Sequence, residues 1–194
     1  MSREDVSEAR VGQILEAAGK LFSKKGIDGA SMSDLSVEAG LSKASLYHYF
    51  KSKEEIIEAL VHRIFSCDES WQKELVEASG TAVERLERYV EGVVELVDET
   101  QILFPVVLES FARSTRAPSL FQCISGYFEG YLKFFTVILE QGKLRGEFSE
   151  SFNVEEAALA VLTQIEGCIM ISGITGRDVK ALLPQTVRYL LHRL

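Results

Sequence analysis

The chain has 194 residues, of which 46% are hydrophobic and 26% charged, so it can bury a proper core and lacks the composition of a disordered protein. Its formal charge is -8, yet residues 1–53 carry 8 basic and 7 acidic side chains, against 13 and 22 in residues 54–194. The acidic surplus therefore lies in the second stretch, and any nucleic-acid site is expected near the start of the chain.

The first ten residues carry charges of both signs and no apolar stretch follows them, so no secretory signal is expected. Apolar runs such as ILFPVVLE are cut by charges well short of the roughly 20 residues that a membrane helix needs. We therefore expect a cytoplasmic protein with no membrane partner. Cys67, Cys123 and Cys168 lie far apart, and we interpret them as packing thiols.

The first helix is predicted from Val11, where apolar residues begin to recur at intervals of three and four. Gly26 ends this helix, and an Asp-Gly turn follows it. Ser31 and Asp34 form a capping-box-like pattern, which predicts a second, short helix over residues 32–39.

A tight turn is predicted after the second helix. Gly40 allows a left-handed backbone conformation without a side-chain clash, and Ser42 can cap a third helix over residues 43–49. Two short helices joined by such a turn, behind a longer brace helix, are typical of a helix-turn-helix unit.

The remainder of the chain has helical periodicity and no alternating strand pattern worth naming. Asn153 and Glu156 form a capping-box pattern, and Pro184 predicts a kink in the last helix. We therefore predict an all-α protein of about nine helices, with an N-terminal three-helix domain over residues 1–53 and a larger helical domain over residues 54–194.

The stretch AGLSKASLYHYFKSKEE combines serines, lysines and aromatic rings around the third helix. In a helix-turn-helix the first turn of that helix faces base edges in the major groove. Lys43 can reach a guanine edge, and Ala44 can meet a thymine methyl group. The side chains suited to the flanking sugar-phosphate strand are Tyr47, His48, Tyr49, Lys51 and Lys53. The alternative is a solvated charged loop with two tyrosines packed against the core.

The longer stretch GIDGASMSDLSVEAGLSKASLYHYFKSKEEI resembles the N-terminal DNA-binding domain of TetR-like (TetR/AcrR) transcriptional regulators, over roughly residues 8–60. The match rests on Ser31 opening the second helix, on the Asp-Leu pair within it, on AGLS at the turn, and on the LY, F and KE elements that follow. The chain departs from the family pattern at Ser36, where alanine is usual, and at Tyr49, where histidine is frequent.

The resemblance implies that residues around the third helix face the groove and that neighbouring ones hold phosphates of double-stranded DNA. The candidate DNA contacts are Ser31, Ser42, Lys43, Ala44, Ser45, Tyr47, His48, Tyr49 and Lys53.

For residues 54–194 the resemblance implies a ligand-binding and dimerisation domain. Its last two helices would pair with a second copy as a four-helix bundle, and its middle helices would enclose a small inducer. The segments AALAVLTQIEGCIMI and ALLPQTVRYLLHRL are apolar on more than one side, which fits burial against both the same domain and a partner. A homodimer on a palindromic operator is therefore expected.

Aromatic residues crowd the middle helices, and a few polar side chains stand among them, as in many ligand pockets. The candidate pocket residues are Trp71, Phe104, Leu108, Glu109, Phe111, Tyr127, Tyr131, Gln164 and Glu166. Such a pocket would take a hydrophobic or amphipathic inducer. Aromatic residues at helical spacing are also typical of a packed core, and that alternative stays open.

Two other functions compete with this interpretation. An enzyme is not predicted, because the histidines, cysteines and carboxylates show no nucleophile-base or metal-ligand spacing, and for the same reason no metal or other cofactor is predicted. A DNA-binding regulator without a small-molecule pocket, controlled by a protein partner or by its own abundance, remains the alternative. Repression is the family's usual mode, and the sequence itself leaves activation open.

Overall fold

The computed structural model describes residues 3–65 and 69–191, and these residues form α-helices with no β-strand. The predicted all-α fold is confirmed. A 3-10 turn at Gln101–Leu103 precedes α7. The α-helices are α1 (Arg3–Gly29), α2 (Met32–Glu38), α3 (Lys43–Tyr49), α4 (Lys53–Phe65), α5 (Glu69–Glu77), α6 (Ala82–Thr100), α7 (Phe104–Ser114), α8 (Pro118–Leu144), α9 (Val154–Thr175) and α10 (Val179–Leu191).

Within residues 53–77 the structure describes two helices, α4 and α5, on either side of residues 66–68. Cys67 lies outside the described residues. Of the other two cysteines, Cys168 is buried, in agreement with a packing role, and Cys123 is partly exposed.

The helices form two compact units. The first takes in residues 1–66 and 102–126, and the second takes in residues 67–101 and 127–194. The first unit thus consists of two separate segments of the chain, whereas the predicted domain boundary at residue 53 divides the chain into two continuous domains. That boundary stays a prediction, because a packing unit need not coincide with a functional domain.

The turns of the first unit follow the sequence pattern. The Ser31 side chain accepts a hydrogen bond from the Asp34 backbone, and the Asp34 carboxylate accepts one from the Ser31 backbone, which completes the capping box of α2. Ser42 caps α3 by accepting a bond from the Ser45 backbone. Gly40 has φ +64° and Gly26 has φ +73°, so both glycines adopt the left-handed region that other residues avoid.

In the first unit, α1 packs against α2, α4 and α7. Its buried side chains include Ile14 and Ala18, and the buried Leu35 of α2 and Leu46 of α3 complete the core of the helix-turn-helix. Each of these four side chains is fully removed from solvent, so burial of roughly 25 cal/mol per Å² of apolar surface stabilises this arrangement. The brace predicted for α1 is therefore present.

In the second unit, α10 packs against both α6 and α9. Thr81 and Glu84 form a complete capping box at the start of α6, and Asn153 caps α9 through two backbone amides. Arg85 of α6 is fully buried, which its charge alone would not suggest. Its guanidinium donates to the Val76 carbonyl at 3.0 Å and to the Gln141 side chain at 2.5 Å, and burial lowers the pKa of Arg85.

Helix α9 is unusually apolar. Within the described residues it is the one helix long and apolar enough to cross a membrane by length and composition, with a hydropathy of 1.7 over its most apolar window. A core helix of a globular protein meets the same criterion. Ala158, Val161 and Ile165 of α9 do lie in the buried core of the second unit.

Candidate nucleic-acid interface and ligand-binding residues

The candidate reading surface lies on α3. The helix buries Leu46 completely and exposes Lys43, Ala44, Tyr47 and His48, four of the predicted DNA contacts, to solvent. Burial of Leu46 fixes the rotation of α3 about its axis, and this rotation sets which side chains point outward. The helix therefore presents a small residue, a flexible cation and two ring side chains on its free surface.

Two predicted DNA contacts also have local structural roles. Besides its backbone bonds, the Ser31 hydroxyl donates to the Asp34 carboxylate at 2.5 Å, and Lys25 pairs with the same carboxylate at 2.9 Å. The hydrogen bonds from Ser31, followed by the bond from Lys25, hold the pKa of Asp34 well below its usual range. The Ser42 hydroxyl serves the cap of α3. Roles of Ser31 and Ser42 in DNA binding stay predictions.

Lys53 occupies a position that the sequence did not reveal. Its ammonium donates to the backbone carbonyls of Ile27 and Ala30, both at 3.0 Å, and so ties the start of α4 to the turn between α1 and α2. Lys51, by contrast, is exposed, and its ammonium donates to the Tyr47 carbonyl at 3.0 Å. Of the two lysines, Lys51 is the more accessible to a phosphate group.

The predicted ligand-pocket residues divide between the two units. Phe104, Leu108, Glu109 and Phe111 belong to the first unit. There the Glu109 carboxylate accepts a hydrogen bond of 2.8 Å from the Ile27 backbone, and Phe111 packs against Phe65 with ring centroids 5.5 Å apart. The carboxylate that the sequence suggested for a ligand therefore has a backbone partner within its own unit.

In the second unit, the aromatic candidates pack ring against ring. Trp71 stacks on Tyr89 with centroids 5.1 Å apart, and Tyr127 meets Tyr131 edge-on at 4.7 Å. Tyr89 and Tyr131 are buried, so this cluster is part of the hydrophobic core of the unit.

A carboxylate stands beside that aromatic cluster. The Tyr127 hydroxyl donates to Glu166 at 2.9 Å, and burial raises the pKa of the Glu166 carboxyl, an effect that this hydrogen bond opposes in part. Burial is also the main cause that raises the pKa of Tyr89, to which the Glu166 charge adds. Gln164, one turn before Cys168 on α9, directs its amide to the Cys168 sulfur at 3.5 Å. The cluster thus combines apolar rings with a few fixed polar groups.

Several contacts that position the helix-turn-helix could not be found from sequence. The Gln13 side chain donates to the Ala39 carbonyl at 2.7 Å, and Glu109 reaches Ile27 across 82 residues of chain. Each contact joins residues distant in sequence and has no local motif.

No cluster of three or more His, Cys, Asp or Glu side chains suited to a metal ion occurs among the described residues.

A pair of short, capped helices joined at Gly40, braced by α1 and exposing one face of the second helix, defines a helix-turn-helix protein. Comparison with known proteins identifies the kind of helix-turn-helix. Residues 14–60 match the model of bacterial regulatory proteins of the tetR family. The chain therefore contains a DNA-binding segment of the tetR type and is similar to TetR-like transcriptional regulators.

Relatives extend over most of the chain. HTH-type transcriptional repressor KstR2 of Mycobacterium tuberculosis is 24% identical over 147 residues, which cover 76% of this chain and 73% of the relative. HTH-type transcriptional regulator UidR of Escherichia coli is 25% identical over 157 residues, covering 81% and 78%. These relatives carry the names of transcriptional regulators, in agreement with the family.

Solved structures confirm the fold. A TetR transcription regulator from Haloarcula marismortui aligns with a TM-score of 0.82 at 17% identity, covering 96% of this chain and 98% of that one. FadR from Bacillus subtilis, solved in complex with stearoyl-CoA, aligns with a TM-score of 0.73 at 24% identity, covering 92% and 96%. A transcriptional regulator from Saccharomonospora viridis, solved with choline, aligns at 0.80 and 23%, covering 96% of each chain.

Proposed function

We propose that this chain is a sequence-specific repressor that binds a palindromic operator as a homodimer and is released by a hydrophobic or amphipathic small molecule. The observation that carries the proposal is the surface of α3, which buries Leu46 and exposes Lys43, Ala44, Tyr47 and His48. We therefore also propose a cytoplasmic location, which an operator on DNA requires.

The roles on α3 follow from the chemistry of its side chains. Lys43 lies in the first turn, where an ammonium group reaches guanine acceptors in the major groove, and the small Ala44 allows close approach. Tyr47 and the exposed Lys51 lie at the far end of the helix, where they donate to phosphate oxygens. Base contacts specify the sequence, whereas phosphate contacts position the helix.

A homodimer is supported by the outer surface of α9 and α10. Leu159, Ile171 and Ile174 of α9 and Tyr189 of α10 are 46–66% exposed, although all four are large and apolar. At Gly167, on α9, a side chain would meet open space, so a partner helix can approach closely. An exposed apolar face of this kind fits a helix pair that meets its own copy.

The inducer is proposed from the second unit. Its aromatic rings supply apolar contact, and Tyr127 with Glu166 supplies the polar group that orients a ligand. Stearoyl-CoA and choline, the ligands of two structural neighbours, both combine apolar and charged parts. Release follows when a ligand binds one dimer geometry better than another and so lowers operator affinity.

The alternative regulator, which has no inducer, is supported by the packing of the same rings. Trp71 lies so close to Gly92 that an added Cβ there would be 2.5 Å from the indole, which is the packing of a filled core. Thermal denaturation in the presence of a library of hydrophobic and amphipathic compounds distinguishes the two, because a compound that binds only the folded state raises Tm.

Operator binding is tested by selecting sites from random duplex DNA at near-physiological salt. We expect a palindromic motif. Recovery of no motif by a folded dimer would overturn the proposal, and a motif without two-fold symmetry would overturn the dimeric mode of binding.

The selected site then tests the assigned contacts. Lys43→Ala should relax sequence preference at one position of each half-site, at a cost of about 1–3 kcal/mol. Lys51→Ala should weaken all sequences alike and reduce the salt slope by about 1. Fluorescence anisotropy with matched and mismatched duplexes measures both effects, and equal behaviour of the two variants would contradict the division of roles.

A further inference from the structure

The α1–α2 turn, residues 26–30, begins at a break within α1 and is held by groups from distant parts of the first unit. Gly26, with φ +73° and ψ 161°, breaks the helical path of α1, and the next residue, Ile27, is fully buried. Its backbone N–H donates to the Glu109 carboxylate of α7 at 2.8 Å. Its carbonyl accepts from Lys53 of α4. Both polar groups of this buried residue therefore have side-chain partners.

Helix α7 reaches the same turn a second time. Arg113, four residues after Glu109 and hence on the same face of α7, forms an ion pair with Asp28. The Asp28 side chain is 92% exposed, so this pair is screened by solvent and contributes little to stability. The hydrogen bond to Glu109 contributes more to stability than the ion pair of Arg113, because loss of the Glu109 carboxylate leaves the backbone N–H of a buried residue without that acceptor.

The glycine makes the approach of Glu109 feasible. A Cβ at position 26 would be only 3.1 Å from the nearer Glu109 oxygen, which is tighter than ordinary contact. The N–H of the following residue, Ile27, points toward α7, as its hydrogen bond to Glu109 shows. The turn and the carboxylate thus fit each other in both shape and hydrogen bonding.

The position of this turn determines the position of α3, the helix that carries the candidate reading surface. Ala30 is followed by Ser31, the cap of α2, and Lys25 pairs with Asp34 in the first turn of α2. Helix α2 leads through Gly40 into α3. A shift of residues 26–30 therefore moves α2 and α3 together relative to the part of α1 that precedes Gly26.

We propose that Glu109, assisted by Arg113, is a positioning residue for operator recognition, which holds the α1–α2 turn so that α3 meets the groove in the correct orientation. This role rests on the proposed function and extends it to a helix that lies outside the helix-turn-helix. It differs from the ligand-pocket role suggested for Glu109 by sequence, because the carboxylate acts through the Ile27 backbone.

The test uses the full-length protein and the duplex selected for the wild type. Glu109→Ala removes the acceptor, and Glu109→Asp withdraws the carboxylate by about 1.5 Å while keeping its charge. Both should lower operator affinity by about tenfold. Glu109→Gln keeps an oxygen at the same reach and should bind within about twofold of the wild type.

A control on the same helix separates positioning from a general loss of stability. The Ser110 hydroxyl of α7 is buried and donates its hydrogen bond to the Val106 carbonyl of its own helix rather than to the turn. Ser110→Ala should leave operator affinity unchanged. Circular dichroism establishes that each variant is folded at the assay temperature, and Glu109→Asp provides the test if Glu109→Ala fails to fold.

The outcomes separate this inference from the proposed function. If the wild type selects no operator, the proposed function fails first. If the wild type binds but folded Glu109→Asp binds within twofold of it, the positioning role is wrong. If Glu109→Gln or Ser110→Ala loses as much affinity as Glu109→Asp, the acceptor at Ile27 is not the cause and the inference is likewise overturned.

Discussion

Glu166 is a residue whose ionisation opposes folding. Its side chain is half-buried beside the aromatic rings of the second unit, and burial raises the pKa of its carboxyl although the Tyr127 hydroxyl stabilises the charged form. A raised pKa in the folded state means that this state holds the proton more tightly than the unfolded chain does. Stability therefore falls as pH rises from the unfolded pKa of about 4.3 through the higher folded value.

Substitution of this carboxyl by an amide should remove the penalty. We expect Glu166→Gln to have a higher Tm than the wild type at pH 7, because glutamine still accepts the Tyr127 hydrogen bond and carries no charge. The difference should shrink below about pH 4, where the wild-type carboxyl is protonated in both states. Thermal denaturation from pH 3.5 to 8 measures it, and a variant that is less stable at pH 7 would contradict this account.

At the scale of the elements, two of the glycines of α1, Gly26 and Gly12, differ in whether their backbone conformation requires glycine. Gly26 has φ +73° and faces the Glu109 carboxylate, whereas Gly12 lies within the helix with no atom within 4 Å of an added Cβ. The first glycine is required by backbone conformation, and the second only adds entropy to the unfolded chain.

These two positions provide a matched pair of variants. Gly26→Ala should destabilise the protein by about 1–3 kcal/mol, because φ +73° combined with ψ 161° is a backbone conformation that essentially only glycine adopts. Gly12→Ala should stabilise it by about 0.5–1 kcal/mol. Urea denaturation followed by circular dichroism measures both changes. Equal effects of the same sign would show that the local backbone of α1 differs from that described.

The helical elements could be predicted where their signals are local. Ser31 with Asp34, and Ser42 with Ser45, lie three residues apart, so the caps of α2 and α3 are readable from the pattern. The contacts of Glu109 with Ile27 and of Gln13 with Ala39 could not be predicted, because a single sequence contains no signal that pairs distant residues. The burial of Arg85 escaped prediction for a related reason, since its partners include a carbonyl of α5 and a side chain of α8.

At the scale of the whole molecule, the proposed homodimer depends on the exposed apolar face of α9. Ile171 is 46% exposed, and a glutamate there would place a charge within the proposed helix-helix contact. Leu144, at the end of α8, is 88% exposed and lies outside the proposed contact. The two positions offer the same chemical change inside and outside the dimer surface.

We expect Ile171→Glu to weaken dimerisation by at least about tenfold, since one uncompensated buried charge costs more than 1.4 kcal/mol. Leu144→Glu should leave it unchanged. Sedimentation equilibrium over a range of concentrations measures both constants. A fully dimeric Ile171→Glu variant would exclude this face of α9 from the interface.

The hydropathy of α9 also matters before the protein has folded. Insertion machinery that recognises membrane segments responds to length and hydropathy, and α9 satisfies both. Glu166 lies near the middle of this helix, where an acidic residue raises the free energy of insertion by roughly 3 kcal/mol. The carboxyl that lowers the stability of the folded unit at neutral pH therefore also lowers the tendency of this segment to enter a bilayer.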